Sequence, residues 1–180
     1  MKINHIFKLS ERFSFMKIQS QKQVWDSIAK EWNDFRQKPI KEVSEFLKKQ
    51  KGNVLDLGCG SGRHLAEIKN GKMFLVDFSK KMIEYAKKNA KKKKILADFI
   101  VSDSTNLPFK DNFFDSAIAI ASIHCIEGEK NRKKALKELY RVLKLKSKAM
   151  ITVWNKNSVW FKNSGKDKKI KWREKGERYY

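Results

Sequence analysis

Two acids and a run of alternate glycines are the residues in this chain whose types and spacing could do chemistry. They begin in Val54-Leu55-Asp56-Leu57-Gly58-Cys59-Gly60-Ser61-Gly62-Arg63, where an apolar run ends in an acid and then enters a glycine-rich turn. Glycines at such a turn let the backbone bend tightly and let a ligand approach the main chain. The spacing predicts a helix from Arg63 to Asn70, whose first N–H groups would face a polar or anionic ligand group. The second acid, Asp77, ends the run Met73-Phe74-Leu75-Val76, 21 positions beyond Asp56. A carboxylate at that distance, on the tip of the next parallel strand, can accept both ribose hydroxyls of an adenosine cofactor. Asp77 could instead cap a helix starting at Lys80, but Ser79 is the better-placed cap. A dinucleotide fingerprint needs its third glycine where Arg63 stands, which makes a redox enzyme the weakest reading.

The elements that must position these residues alternate. Apolar residues at Val24, Trp25, Ile28, Ala29 and Trp32 give Gln23 to Phe35 a helical period, and a second helical stretch covers Val43 to Leu47. Strands are expected at Val54 to Leu57, Met73 to Val76, Phe99 to Val101, Ser116 to Ala121 and Met150 to Trp154. Ser116 to Ala121 is too apolar to be half exposed and reads as a central parallel strand. Helices are expected from Lys80 to Lys91 and from Asn131 to Leu143. This alternation defines an α/β fold, a doubly wound and mostly parallel sheet. No repeat or linker divides the chain, so residues 21–180 read as one domain behind an extension of residues 1–20, within which Met16 is an alternative start.

The chain has 180 residues, 41% of them hydrophobic, enough for one sizeable core. No apolar run approaches the roughly 18 to 20 residues that span a membrane. The N-terminal residues lack a signal-peptide pattern. Cys59 and Cys125 form no CxxC pair, so neither a disulfide framework nor a metal site is expected, and a cytoplasmic location is the default. Basic residues number 42 against 20 acids, a net charge of +22. A polyanion such as nucleic acid is the functional reading of that excess. Only seven of the basic residues are Arg, so lysine-rich genome composition is the competing reading. The lysine run from Lys87 to Lys94 falls at a helix end, where cations suit the helix dipole.

The pattern Asp56-x-Gly58-x-Gly60-x-Gly62, with Asp77 after it, resembles the first motifs of class I S-adenosyl-L-methionine (SAM) methyltransferases. SAM has no pyrophosphate, so its turn cradles an amino acid and a ribose. Ile28-Ala29, Arg36-Gln37-Lys38-Pro39, Ser122-Ile123-His124, Arg132 with Ala135-Leu136 and Glu138, and Val153-Trp154 narrow the likeness. Together they resemble the tRNA wobble-uridine carboxymethyl methyltransferase family from about Trp25 to Trp154. That resemblance implies SAM as cofactor, held by Asp56, Gly58, Gly60, Gly62, Asp77, Phe78, Asp103, Ser104 and Ala121, with Asp103 at the adenine amine. It implies tRNA, at its anticodon region, as substrate, and a small zinc-binding activator subunit on the strand edge Phe99 to Val101. It implies no metal in the chain itself and no membrane.

Three departures stand out. Cys125 replaces a second His after His124. Lys144 to Lys148 replaces a Pro-Gly-Gly turn before the fifth strand. The family continues past a similar Arg178-Tyr179-Tyr180 with a helix and two strands, so the resemblance implies a sheet lacking its last two strands and a fifth strand with an exposed edge.

A carboxylate substrate is already a nucleophile at neutral pH, so alignment matters more than a base. Arg36, whose guanidinium fork matches a carboxylate, is the candidate to grip it. His124, at the carboxyl end of the buried strand, is the other catalytic candidate, and Trp154 could stack on a base. The alternatives are a surface ion pair for Arg36, a structural role for His124 and a core position for Trp154. A small-molecule methyltransferase acting on a quinone or lipid precursor, or a SAM-binding subunit without activity, would share the cofactor motifs.

Overall fold

The computed structural model describes residues 20–155, 157 and 168–179. The first helix, α1 (Gln21–Phe35), starts at a reciprocal cap. Ser20 Oγ accepts from the Gln23 amide, and the Gln23 side chain accepts from the Ser20 amide, which satisfies two otherwise orphaned donors. Its apolar stripe buries Val24, Trp25, Ile28 and Ala29, as the helical period requires. Helix α2 (Lys41–Lys48) buries Val43 and Leu47 ahead of the first strand.

Strands β1 (Lys51–Leu57), β2 (Lys69–Asp77), β3 (Ala97–Val101), β4 (Phe114–Ile120) and β5 (Leu143–Thr152) form one sheet in the order β3-β2-β1-β4-β5. Every pairing in it is parallel. Helices α3 (Lys80–Lys93) and α4 (Glu129–Val142) supply crossovers. One face of the sheet packs Val54, Met73, Leu75 and Ile118 against α2 and α3. The other packs Leu55, Leu57, Val76 and Ala117 against Leu139 and Val142 of α4. The second face also holds four phenylalanines, with Phe114 in edge-to-face contact with Phe74, Phe109 and Phe113 at 4.8–5.4 Å. The doubly wound parallel sheet expected from the alternation is present. Its strand order reverses between β1 and β4, and ligands bind in the crevice at such a reversal.

The structure corrects two expectations. Residues 63–70 form no helix. Both β1 and β2 begin earlier than the apolar runs suggest, with Lys51 paired to Lys69, so only residues 58–68 remain for the crossover. That segment turns through glycines at positive φ, and Leu65 and Ile68 tie it to the core. The fifth strand begins at Leu143 rather than Met150. Helix α4 passes into β5 without a turn, because its C-cap Leu143 is already extended. The pairing then jumps from Phe114–Leu143 to Ser116–Lys148, so the lysine-rich segment is a bulge with Lys146 in the left-handed region.

β5 and β3 are the edges of the five-stranded sheet, and Ile151 and Val153 near the end of β5 are exposed. Residues 1–19 lie outside the described residues, so only Ser20 of the expected extension is seen. The described residues near the C-terminus form an antiparallel pair, β6 (Lys169–Lys171) and β7 (Glu177–Tyr179), separate from the main sheet. Among the described residues no helix is long and apolar enough to cross a membrane.

Candidate functional site

A cavity of about 320 Å³ opens at the carboxyl ends of β1, β2 and β4, under α1. That is the size of a small-ligand site. β1 delivers Asp56 and the turn Gly58–Gly60, and β2 delivers Asp77 and Phe78. The segment after β3 adds Asp103 and Ser104, the end of β4 adds Ala121, and α1 adds Trp25, Trp32 and Arg36.

The turn is built for close approach. Gly58, Gly60 and Gly62 all have positive φ. A Cβ on Gly58 would stand 2.4 Å from Ser122 Cβ, and one on Gly60 would stand 3.3 Å from Trp32 Nε1. Gly62 differs in role: a Cβ there would meet Leu65 and Ala86, so this glycine lets the turn pack on α3 and does not line the cavity. Ala121, a non-glycine with φ 51°, holds its strained turn through Ser122, whose hydroxyl donates to the Leu57 carbonyl at 2.8 Å.

Asp77 is fixed by the backbone. Its two carboxylate oxygens accept from the Gly60 and Ser79 amides, each at 2.9 Å. A carboxylate has about four acceptor positions, so capacity remains for two hydroxyls. Burial pushes its pKa up to about 6, against the pull of those N–H donors. Ser79 caps α3 by accepting from the Met82 amide. Asp56 is more extreme. It is buried, and its Oδ2 has no hydrogen-bond partner among the described residues. Burial first, and the charge of Asp77 second, raise its pKa to about 8. A buried acceptor without a donor is costly, and a ligand cation is the group that would satisfy it.

Arg36 is the C-cap residue of α1. Its guanidinium lies 5.0 Å from the Trp32 ring and 5.4 Å from that of Phe35, and its buried Nε has no partner among the described residues. His124, in the short 3-10 turn Ile123–Cys125, is not a lining residue; its ring lies 6.1 Å from that of Trp154, which is. Burial, then the charge of Arg178, lowers its pKa to about 4, so it is neutral near pH 7. Trp154 is part of the cavity wall and partly exposed rather than core.

Sequence reasoning missed His64. It is buried at the cavity wall, neither ring nitrogen has a hydrogen-bond partner among the described residues, and its pKa is lowered to about 4, mainly by burial. Its place directly after the glycine turn was the available signal. Sequence reasoning also read Trp25 and Trp32 only as part of a helical period, although both line the cavity.

An adenosine-type cofactor with a cationic amino-acid end would fit this arrangement on a doubly wound sheet. Residues 55–151 match the family model described as a methyltransferase domain. The chain belongs to that family, and the cofactor of the class is SAM. The residues present are compatible with it: Asp77 keeps acceptor capacity at the cavity wall, and the Asp56 oxygen without a partner among the described residues would suit an ammonium.

The chain is 34% identical over 146 residues to the tRNA (carboxymethyluridine(34)-5-O)-methyltransferase alkbh8 of Xenopus tropicalis, covering 80% of this chain and 22% of that protein. It is 35% identical over 134 residues to the tRNA (carboxymethyluridine(34)-5-O)-methyltransferase of Schizosaccharomyces pombe, covering 73% and 56% respectively. The chain thus spans from about a fifth to little more than half the length of these relatives. A similar fold occurs in the complex between the Haloferax volcanii Trm112 methyltransferase activator and a methyltransferase, with TM-score 0.60 and 23% identity over 76% of this chain and 61% of that one.

Proposed function

We propose that this chain transfers the methyl group of SAM to the carboxylate of 5-carboxymethyluridine at the wobble position of tRNA, forming a methyl ester. The observation that carries the reading is Arg36: its Nε is buried without a hydrogen-bond partner among the described residues, and its guanidinium lies over the Trp32 ring at the wall of the cavity. A guanidinium there can hold one oxygen of a substrate carboxylate and leave the other to attack. The names of the relatives support the substrate, and the charge of +22 supports a polyanionic one.

When bound, SAM supplies a methyl group on a sulfonium, which an ionised carboxylate can accept without losing a proton. The chain's residues then have to bind, orient and exclude water. Asp77 holds the ribose, Asp56 the amino-acid end, Asp103 and Ser104 the adenine side, and Trp154 the base of the substrate. His124, neutral near pH 7, serves as packing beside Trp154 and adds no charge to compete with Arg36. A small zinc-binding activator subunit would sit on the edge strand β3, where Val101 is exposed.

The test is methyl transfer to tRNA bearing 5-carboxymethyluridine by Arg36 variants. Arg36→Ala lowers turnover about ten- to a hundredfold, the scale of a lost charge-assisted hydrogen bond, with SAM affinity nearly unchanged. Arg36→Lys recovers only part, because an ammonium keeps the charge and loses the fork. Unchanged turnover in Arg36→Ala contradicts the proposal.

A further inference from the structure

We infer that Arg178 is a positioning residue for the cofactor pocket, through which the hairpin β6–β7 holds the pocket's aromatic wall against the glycine turn. The inference rests on the SAM reading above. Arg178 is only 5% exposed, and its guanidinium lies 4.4 Å from the ring of Trp172, 4.9 Å from Trp32 and 5.4 Å from Trp25. Three indoles around one guanidinium form a cage in which ring quadrupoles replace part of its hydration. Arg suits that cage better than Lys, because its planar, delocalised cation stacks and is weakly hydrated.

Two of the caged rings belong to the pocket. Trp25 and Trp32 line the cavity, and Trp32 Nε1 would be 3.3 Å from a Cβ on Gly60. Gly60 in turn donates its amide to Asp77. A continuous line of contacts therefore runs from Arg178 through Trp32 to Gly60 and the ribose-binding carboxylate. Trp32 carries the Arg36 guanidinium as well, at 5.0 Å, so one ring is shared between a residue at the cavity wall and a residue of the hairpin.

The hairpin has anchors outside the cage as well as through the caged Trp172, which allows Arg178 to set the position of the other rings. Glu31 of α1 accepts from Trp172 Nε1 at 2.8 Å and pairs with Lys175 Nζ at 2.7 Å. Gln21 of α1 donates to the Glu177 carbonyl at 2.9 Å. On the other side, Tyr179 Oη donates to Glu127 Oε1 at 2.6 Å. Gln21 and Glu127 both line the cavity. The hairpin thus bridges α1 and the segment after β4.

The experiment is calorimetric titration of S-adenosylhomocysteine into the whole chain and into Arg178→Met and Arg178→Lys, with acrylamide quenching of tryptophan fluorescence on the same samples. Arg178→Met keeps the length and apolar bulk and removes the cation. It should weaken binding about tenfold and raise quenching, the scale of one desolvated cation–π contact. Arg178→Lys should weaken it by only about threefold, since the charge remains and the stacking is lost. A change of no more than about twofold in Arg178→Met, with parental quenching, overturns the inference while leaving the SAM reading intact. Should Arg178→Met fail to fold, Arg178→Lys decides: parental affinity and parental quenching in that variant overturn it. Failure of the parental chain to bind S-adenosylhomocysteine overturns the SAM reading and the inference together.

Discussion

Asp56 and Asp77 carry the proposed cofactor contacts, and burial makes both hold protons more tightly than ordinary carboxylates. The pKa of Asp56 is raised to about 8 and that of Asp77 to about 6, in each case mainly by burial. A carboxyl whose pKa is raised on folding keeps its proton in a pH range where the unfolded chain has released it. The stability these two groups contribute is present at low pH and lost as pH rises through about 6 and then about 8. Binding an ammonium next to Asp56 has the opposite preference, because it favours the carboxylate. SAM affinity should therefore rise between pH 6 and pH 8, and calorimetry in two buffers of different ionisation enthalpy at pH 7 should register proton release. Asp56→Asn should abolish that release and bind more weakly. Equal heats in both buffers for the parental chain would contradict the assignment. The acids, Gly58 and Gly60 were legible in the sequence because two strand tips and one turn place them, a local matter of spacing. His64 and Trp32 were not, because the wall they form exists only once α1 lies across the turn, a contact between distant segments.

At the scale of elements, the sheet was legible and its connections were less so. The apolar runs fixed the strands, since a strand buried on both faces has little room for polar residues. The helix expected at residues 63–70 is absent because β2 already starts at Lys69, and the shortened crossover must still run back to a β1 that starts early, at Lys51; the polar residues Lys51 to Asn53 and Lys69 to Lys72 carry no apolar signal. The lysine-rich start of β5 was hidden for the same reason: its residues bulge from the ladder, and the burial pattern has no alternation to read. The turn between β1 and β2 consequently depends on its glycines rather than on helix hydrogen bonds. Gly58→Ala and Gly60→Ala should differ measurably. At Gly58 a Cβ would collide with Ser122 at 2.4 Å, whereas at Gly60 it would press on Trp32 at 3.3 Å, with positive φ in both. Thermal denaturation should show a loss of about 3 kcal/mol or more for Gly58→Ala and about 1–2 kcal/mol for Gly60→Ala. Equal losses would mean that backbone strain alone, and not packing on Ser122, fixes the turn.

For the whole molecule, charge is the dominant property. The 42 basic residues cannot be matched internally by 20 acids, so a surplus of 22 positive charges is left to face solvent or a partner. The net charge was readable from composition, but composition alone does not distinguish a partner from genome bias. Salt dependence does. If tRNA is the substrate, log affinity falls linearly with log salt, with a slope near −0.7 to −0.9 per phosphate contacted. A flat response would return the lysine surplus to composition. The central claim, esterification of a wobble carboxylate, is tested most directly by mass spectrometry of tRNA nucleosides after incubation with isotopically labelled SAM, with and without an added activator subunit. The label should appear in 5-methoxycarbonylmethyluridine, and mild alkaline hydrolysis should return that nucleoside to 5-carboxymethyluridine without label. Label on any other nucleoside, or on none under either condition while S-adenosylhomocysteine still binds, would contradict it.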